Sequence, residues 1–136
     1  MNPITVTVAV WAVLVAPGAL AASAVESLEA AYRSAGAGPF STGTGADAWR
    51  REIPPRDGGA PRSCATCHGA DPRSVGRHAT TGKIIEPLAP AVSPGRLSDP
   101  EHVEKWFRRN CEWTWGRACT PQEKGDFLAY LRGVQP

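Results

Sequence analysis

Apolar residues are spaced in several distinct ways along this 136-residue chain. Residues 4–20 form an almost unbroken apolar run without a charge, interrupted by Pro17-Gly18 and followed by Ala21-Ala22-Ser23-Ala24. An apolar core followed by an Ala-x-Ala arrangement predicts an export leader, cut after Ala24 or after Ala21, rather than a membrane-spanning helix. Residues 1–24 are therefore set apart from a single domain at 25–136. That domain is expected in the periplasm, with no stable membrane insertion once the leader is removed.

Beyond the leader the spacing becomes helical. Leu28, Ala31, Tyr32 and Ala35 fall at i, i+3, i+4 and i+7, predicting a helix over 25–35 that Gly36-Ala37-Gly38-Pro39 ends. A short helix is expected over 46–52 around Trp49, and residues 54–59, rich in proline and glycine, read as a loop. Residues 69–97 hold four glycines or prolines before Lys83 and four more up to Gly95, with Ile84, Ile85, Leu88 and Val92 as apolar points. A loop this long in a small domain is usually functional or wrapped on a ligand.

Two capping signals follow. Ser98 with Glu101 three residues later predicts a helix start, with Pro100 in the first turn. Val103, Trp106, Phe107 and Asn110 then share a face, so a polar asparagine continues an apolar stripe. Burying it without a partner would cost about 1–3 kcal/mol. Thr120-Pro121-Gln122-Glu123 is a second capping box, opening a helix over 121–132 with Phe127, Leu128, Leu131 and Tyr130 on its apolar side and Gly133 at its end. The pattern predicts an all-α domain.

Composition adds limits. A net charge of +2 with 21% charged residues carries no nucleic-acid footprint. Fourteen glycines and thirteen prolines imply abundant loop. A domain this small buries little surface unaided, so a large apolar cofactor would help complete its core.

The cysteines supply one. Cys64-Ala65-Thr66-Cys67-His68 reads as a c-type haem attachment site. Two thiols at this spacing can each add to one vinyl group of a single porphyrin, and the next residue, a histidine, can ligate the iron. Cys111 and Cys119 remain as a pair in an oxidising compartment, where a disulfide is the natural reading. Closing a loop of about nine residues is worth roughly 2.5 kcal/mol in the chain-entropy model. The competing reading is a four-cysteine zinc site.

The second axial ligand is less direct. Met1 is the sole methionine and leaves with the leader, so a histidine–methionine pair is excluded. The residues leave open His78, His102, a deprotonated Lys83 or Lys105, Asn110, or no protein ligand. Asn110 has its own alternative role as a helix C-cap. Nothing in the sequence gives Arg108 or Arg109 a role.

From Phe40 to Leu131 the chain resembles the sphaeroides haem protein (SHP) family, an oxygen-binding type of class I cytochrome c. The resemblance is carried by Ser63-Cys-Ala-Thr-Cys-His-Gly69, Thr81-Gly-Lys-Ile-Ile-Glu-Pro-Leu-Ala-Pro90, Val103-Glu-Lys-Trp-Phe-Arg-Arg-Asn-Cys111 and Gly116-Arg-Ala-Cys-Thr-Pro-Gln-Glu-Lys-Gly125. It implies a class I cytochrome c fold with a long haem-wrapping loop and, here, an extra N-terminal helix. It also implies Cys64 and Cys67 as covalent haem anchors, His68 as proximal ligand, Asn110 as distal ligand in the ferric state, and a Cys111–Cys119 disulfide. On reduction the asparagine leaves and small diatomic ligands bind. The aromatic segment Glu112-Trp-Thr-Trp115 departs from the family.

The expectation is an exported, high-spin, mono-haem cytochrome that binds O2 or NO when ferrous and takes electrons from a partner cytochrome. Oxygen or NO redox chemistry at the haem would be its enzymatic extension. The alternative is a soluble electron carrier with His102 or His78 as a permanent second ligand. A third class, a haem- or oxygen-sensing module, would need a signalling domain that the sequence does not supply.

Overall fold

The computed structural model describes residues 23–56 and 58–135, so almost all of the expected leader lies outside the described residues. Helix α1, Ala24–Ser34, is opened by Ser23. The Glu26 N–H donates to Ser23 Oγ (3.3 Å), and the Ser23 N–H donates to Glu26 Oε2 (2.8 Å). Val25, Leu28 and Tyr32 are its buried face.

Helix α2, Thr42–Arg50, starts four residues before the expected Ala46, with Ser41 as N-cap. Gly43 and Gly45 make this turn look like loop, because glycine is a poor helix former. Packing explains Gly45: a carbon added there would stand 2.1 Å from the Asp126 carbonyl oxygen and 2.8 Å from Tyr130 Cβ. The glycine lets α2 lie against helix α5, Pro121–Gly133. Buried Asp126 seals this contact, accepting from the Ser41 N–H (2.7 Å) and from Gln122 Nε2 (3.1 Å).

Helix α5 carries the capping box read from sequence, Thr120 with Glu123, and buries Phe127, Leu128, Tyr130 and Leu131. The one-turn helix α3, Ala65–His68, carries the second cysteine and the histidine.

Helix α4, Pro100–Trp115, differs from its expectation in three ways. Its N-cap is Asp99, whose carboxylate accepts from the Glu101 and His102 N–H groups. Ser98 instead donates its hydroxyl to the Gly95 carbonyl (2.8 Å). Proline is favoured at the first helical position, which puts the cap on the residue before it. The helix also runs through Glu112-Trp-Thr-Trp115 to Gly116, whose φ of 64° ends it, so Asn110 is not a C-cap. Finally, the buried face is Val103, Cys111 and Thr114 with Phe107 beside them, while Trp106 is 42% exposed. Trp106 Nε1 donates to His102 Nε2 (2.9 Å), and the Arg109 guanidinium lies 5.1 Å from its ring centre.

The 69–97 stretch is more ordered than a loop. Strands β1, Gly76–Arg77, and β2, Ile84–Ile85, pair antiparallel, Gly76 opposite Ile85 and Arg77 opposite Ile84. Strands of two residues are too short to leave an alternating pattern. Farther on, the Leu88 and Ala89 N–H groups both donate to the Pro72 carbonyl (2.9 and 3.0 Å). The 54–61 loop is closed by a bridge between Ile53 and Arg62.

The core has two parts. Ala48, Trp49, Cys111, Cys119, Phe127, Tyr130 and Leu131 form one, beside the haem motif. Val25, Leu28, Tyr32, Val103 and Leu128 form the other, so α1 covers α4 and α5. No helix among the described residues is long and apolar enough to cross a membrane.

Candidate haem site

The α3 turn places the sequence-predicted residues together. Its cysteines stand three residues apart, the spacing that puts both on one helix face. The Ser63 N–H donates to Thr66 Oγ1 (2.9 Å), the His68 N–H to the Cys64 carbonyl (3.1 Å), and the Gly69 N–H to the Ala65 carbonyl (2.9 Å). Both thiols are unpaired. Gly69 leaves the turn at a φ of 78°. Trp49 backs this arrangement: its indole Nε1 donates to the Gly69 carbonyl (2.8 Å), and its ring centre is 5.6 Å from that of His68. Strand β1 seals the outside. A carbon added at Gly76 would lie 2.3 Å from the Cys67 carbonyl oxygen and 2.9 Å from His68 Cα.

Burial sets the protonation of this turn. It pushes the Cys64 thiol up to about 12. It pushes His68 down to about 4, and the nearby Arg96 charge acts in the same direction. A neutral imidazole with a free lone pair is the form that binds a metal. His68 Nδ1 is buried without a hydrogen-bond partner among the described residues.

These features fit a covalently held haem. Two unpaired thiols share a turn with a neutral histidine. Ile84 and Val92, two of the four apolar points of the expected wrapping loop, stand 48% and 45% exposed, a surface that an apolar macrocycle would cover.

The other ligand candidates separate. His78 Nδ1 accepts from the Thr80 and Thr81 N–H groups (3.2 Å each) at the exposed hairpin turn. His102 accepts from Trp106 on the exposed first turns of α4. Lys83 and Lys105 are exposed. Asn110 is half-buried, and its side chain makes no hydrogen bond among the described residues. At 100° per residue it lies about 20° around α4 from buried Val103.

The next residue, Cys111, is bonded to Cys119 with their Cα atoms 5.6 Å apart, tying α4 to the start of α5. This disulfide removes two of the four thiols a zinc site would need, and no metal-ligating cluster occurs among the described residues. The two departing tryptophans belong to the last turn of α4. Trp113 lies under the Arg62 guanidinium (4.6 Å), while Trp115 packs on Phe127 (5.6 Å) and faces Arg51 and Arg117. Arg96, a single arginine in a loop, carries no sequence signal, and Trp49 reads from the sequence only as the main apolar residue of its helix.

A family model described as a domain of unknown function, DUF1924, matches residues 35–131. The cytochrome c-type protein SHP of Cereibacter sphaeroides is 43% identical over 125 residues, covering 88% of this chain and 92% of that protein. The chain belongs to the SHP family. Its fold is similar to that of oxidised SHP, an oxygen-binding cytochrome c (TM-score 0.74, 39% identity, 82% of this chain and 98% of the other). It is also similar to the solution structure of cytochrome c'' from Methylophilus methylotrophus, solved for insight into haem-ligand detachment (TM-score 0.73, 32% identity, 82% and 94%). As an SHP-family cytochrome the protein carries a covalently bound haem c.

Proposed function

We propose that this SHP-family cytochrome is an exported, periplasmic, high-spin haem protein that binds O2 or NO in its ferrous state after an asparagine ligand lets go, and that it receives electrons from a partner cytochrome. In this reading Cys64 and Cys67 anchor the haem, His68 is the proximal ligand and Asn110 the distal ligand of the ferric state. The haem iron supplies the redox change and the coordination position that opens with it.

The observation that carries the reading is Asn110 itself. It is the ligand candidate left half-buried and without a hydrogen-bond partner among the described residues, while His78 and His102 serve local turns at the surface. An amide oxygen is neutral and hard, so it suits ferric iron better than ferrous iron. The cited relatives support the same direction, one an oxygen-binding cytochrome and the other studied for ligand detachment.

Optical spectra of the ferrous protein with and without CO test the switch. A large spectral change on adding CO is expected. A six-coordinate, low-spin ferrous form that ignores CO would instead indicate a permanent second ligand and an electron carrier. Asn110→Ala should alter the ferric spectrum, and an unchanged ferric spectrum would assign the ligand elsewhere.

A further inference from the structure

The hairpin that seals the haem turn also touches one of its two cysteines. The Ala79 N–H donates to Cys67 Sγ (3.4 Å), a contact between residues twelve apart in the chain. Attachment of haem turns this sulfur into a thioether, which keeps lone pairs and remains a weak acceptor. Ala79 is exposed, so the hydrogen bonds of the turn around it set its direction. His78 makes most of them. Its N–H donates to the Lys83 carbonyl, and its own carbonyl accepts from the Gly82 N–H (2.8 Å each). Its Nδ1 accepts from the Thr80 and Thr81 N–H groups, folding the two residues after Ala79 back over the ring. An imidazole nitrogen accepts only while it carries no hydrogen, so the ring hydrogen sits on Nε2.

We propose that His78 is a positioning residue for the haem: through Nδ1 it shapes the 78–83 turn so that the Ala79 N–H is aimed at the Cys67 sulfur, and this bond raises the reduction potential. The inference rests on Cys67 being a haem anchor. A thioether sulfur stands one carbon away from the porphyrin ring. An N–H aimed at it sets the positive end of a fixed dipole at the ring edge, and the turn keeps water off the sulfur. Iron carries one positive charge fewer when reduced, so a positive dipole and a drier edge both favour the ferrous state. That is the state in which the proposed gas binding takes place. Without Nδ1, the Thr80 and Thr81 N–H groups must turn to water, and the chain beside them loses its aim.

The test compares haem-loaded wild type with His78→Ala and His78→Asn by redox titration and by hydrogen exchange at the Ala79 amide. Asparagine places Oδ1 where Nδ1 stands and accepts from backbone N–H groups just ahead in the chain. In His78→Ala the potential should fall and exchange should quicken at least tenfold, and His78→Asn should restore both. A lower melting temperature with an unmoved potential would make His78 a purely structural residue and overturn the proposal. Equal falls in both variants would overturn it too, since the acceptor would then not be the agent. If His78→Ala fails to load haem, the same fall is expected in His78→Gln, whose amide stands nearer the place of Nε2. Wild type alone gives a further check: an Ala79 amide that exchanges as fast as an unbonded one would sink the proposal. The position of the haemochrome band reports how many vinyl groups are saturated, and so whether both cysteines are anchors. A single thioether, at Cys64, would remove the anchor reading and this inference with it, whereas two thioethers with an unmoved potential in His78→Ala overturn this inference alone.

Discussion

Gly76 shows how little room the haem motif allows. The space where its side chain would begin is filled by the Cys67 carbonyl and His68 Cα. Gly76→Ala must push β1 off α3 or shift the turn that aims both thiols and the histidine. Overpacking of this kind costs about 1–3 kcal/mol, and the displaced turn should also hinder thioether formation. A lower melting temperature and a reduced yield of covalently bound haem, measured by haemochrome absorbance against protein mass, are the expected outcome. Retention of both at wild-type levels would show that the hairpin is not a wall of the site. Trp49 acts on the same turn, joining Gly69 and His68 to Phe127 and Tyr130 in the main core. The site and the core are thus one packed unit.

At the scale of elements, α1 is tied in by more than apolar contact. Tyr32 donates its hydroxyl to Glu104 on α4, and Lys124 on α5 pairs with the same carboxylate at 2.7 Å. Burial alone would raise the Glu104 pKa, but the bonds from Lys124 and Tyr32 outweigh it and the net shift is downward. A carboxylate depressed on folding contributes stability above its unfolded value, near 4.5, and loses it as pH falls through the lower folded value. Glu104→Gln should therefore cost about 1–2 kcal/mol at neutral pH, discounted for partial exposure. It should also flatten the acid side of a melting-temperature profile, and a parallel profile would show that Glu104 contributes no linkage. The start of α1 bears on the leader as well. A cut after Ala24 would strip the Ser23 cap and leave a charged amine on buried Val25, whereas a cut after Ala21 keeps the capping box. Mass spectrometry of the exported protein should give Ala22 as the first residue, and Val25 would contradict this. Much of this level was legible in the sequence, because caps, proline placement and helical spacing are local signals. The Thr120–Glu123 box is read directly, whereas the Cys64–His68 motif gives no sign of its helical turn. The start of α2 is not legible, since Gly45 is set by the approach of α5. Nor is the outward turn of Trp106, since periodicity cannot show that its indole pairs with His102. The bonds of Arg96 leave no sequence signal either, because only the fold brings the Glu86 and Pro87 carbonyls to it.

For the whole molecule, the Cys111–Cys119 bond joins the helix that carries Asn110 to the helix that fills both cores. Replacing both cysteines with alanine should lower stability by about 2.5 kcal/mol in the chain-entropy model, seen as a lower midpoint in urea. Thiol titration of the denatured wild-type holoprotein should find no free thiol, since two are in the disulfide and two in thioethers. Two free thiols would contradict the bridge. Asn110 lies inside an unbroken helix, capped by Asp99 at one end and Gly116 at the other and stapled at the very next residue. On the proposed ligation, its amide can leave the iron only by rotating about its own two side-chain bonds, because the backbone beneath it is held. Side-chain rotations of this kind are intrinsically fast, on the order of picoseconds to nanoseconds when unhindered. The opening of the binding position is then paced by the arrival of an electron and not by any refolding of the chain, so the protein can take up and give back its ligand without leaving its folded state.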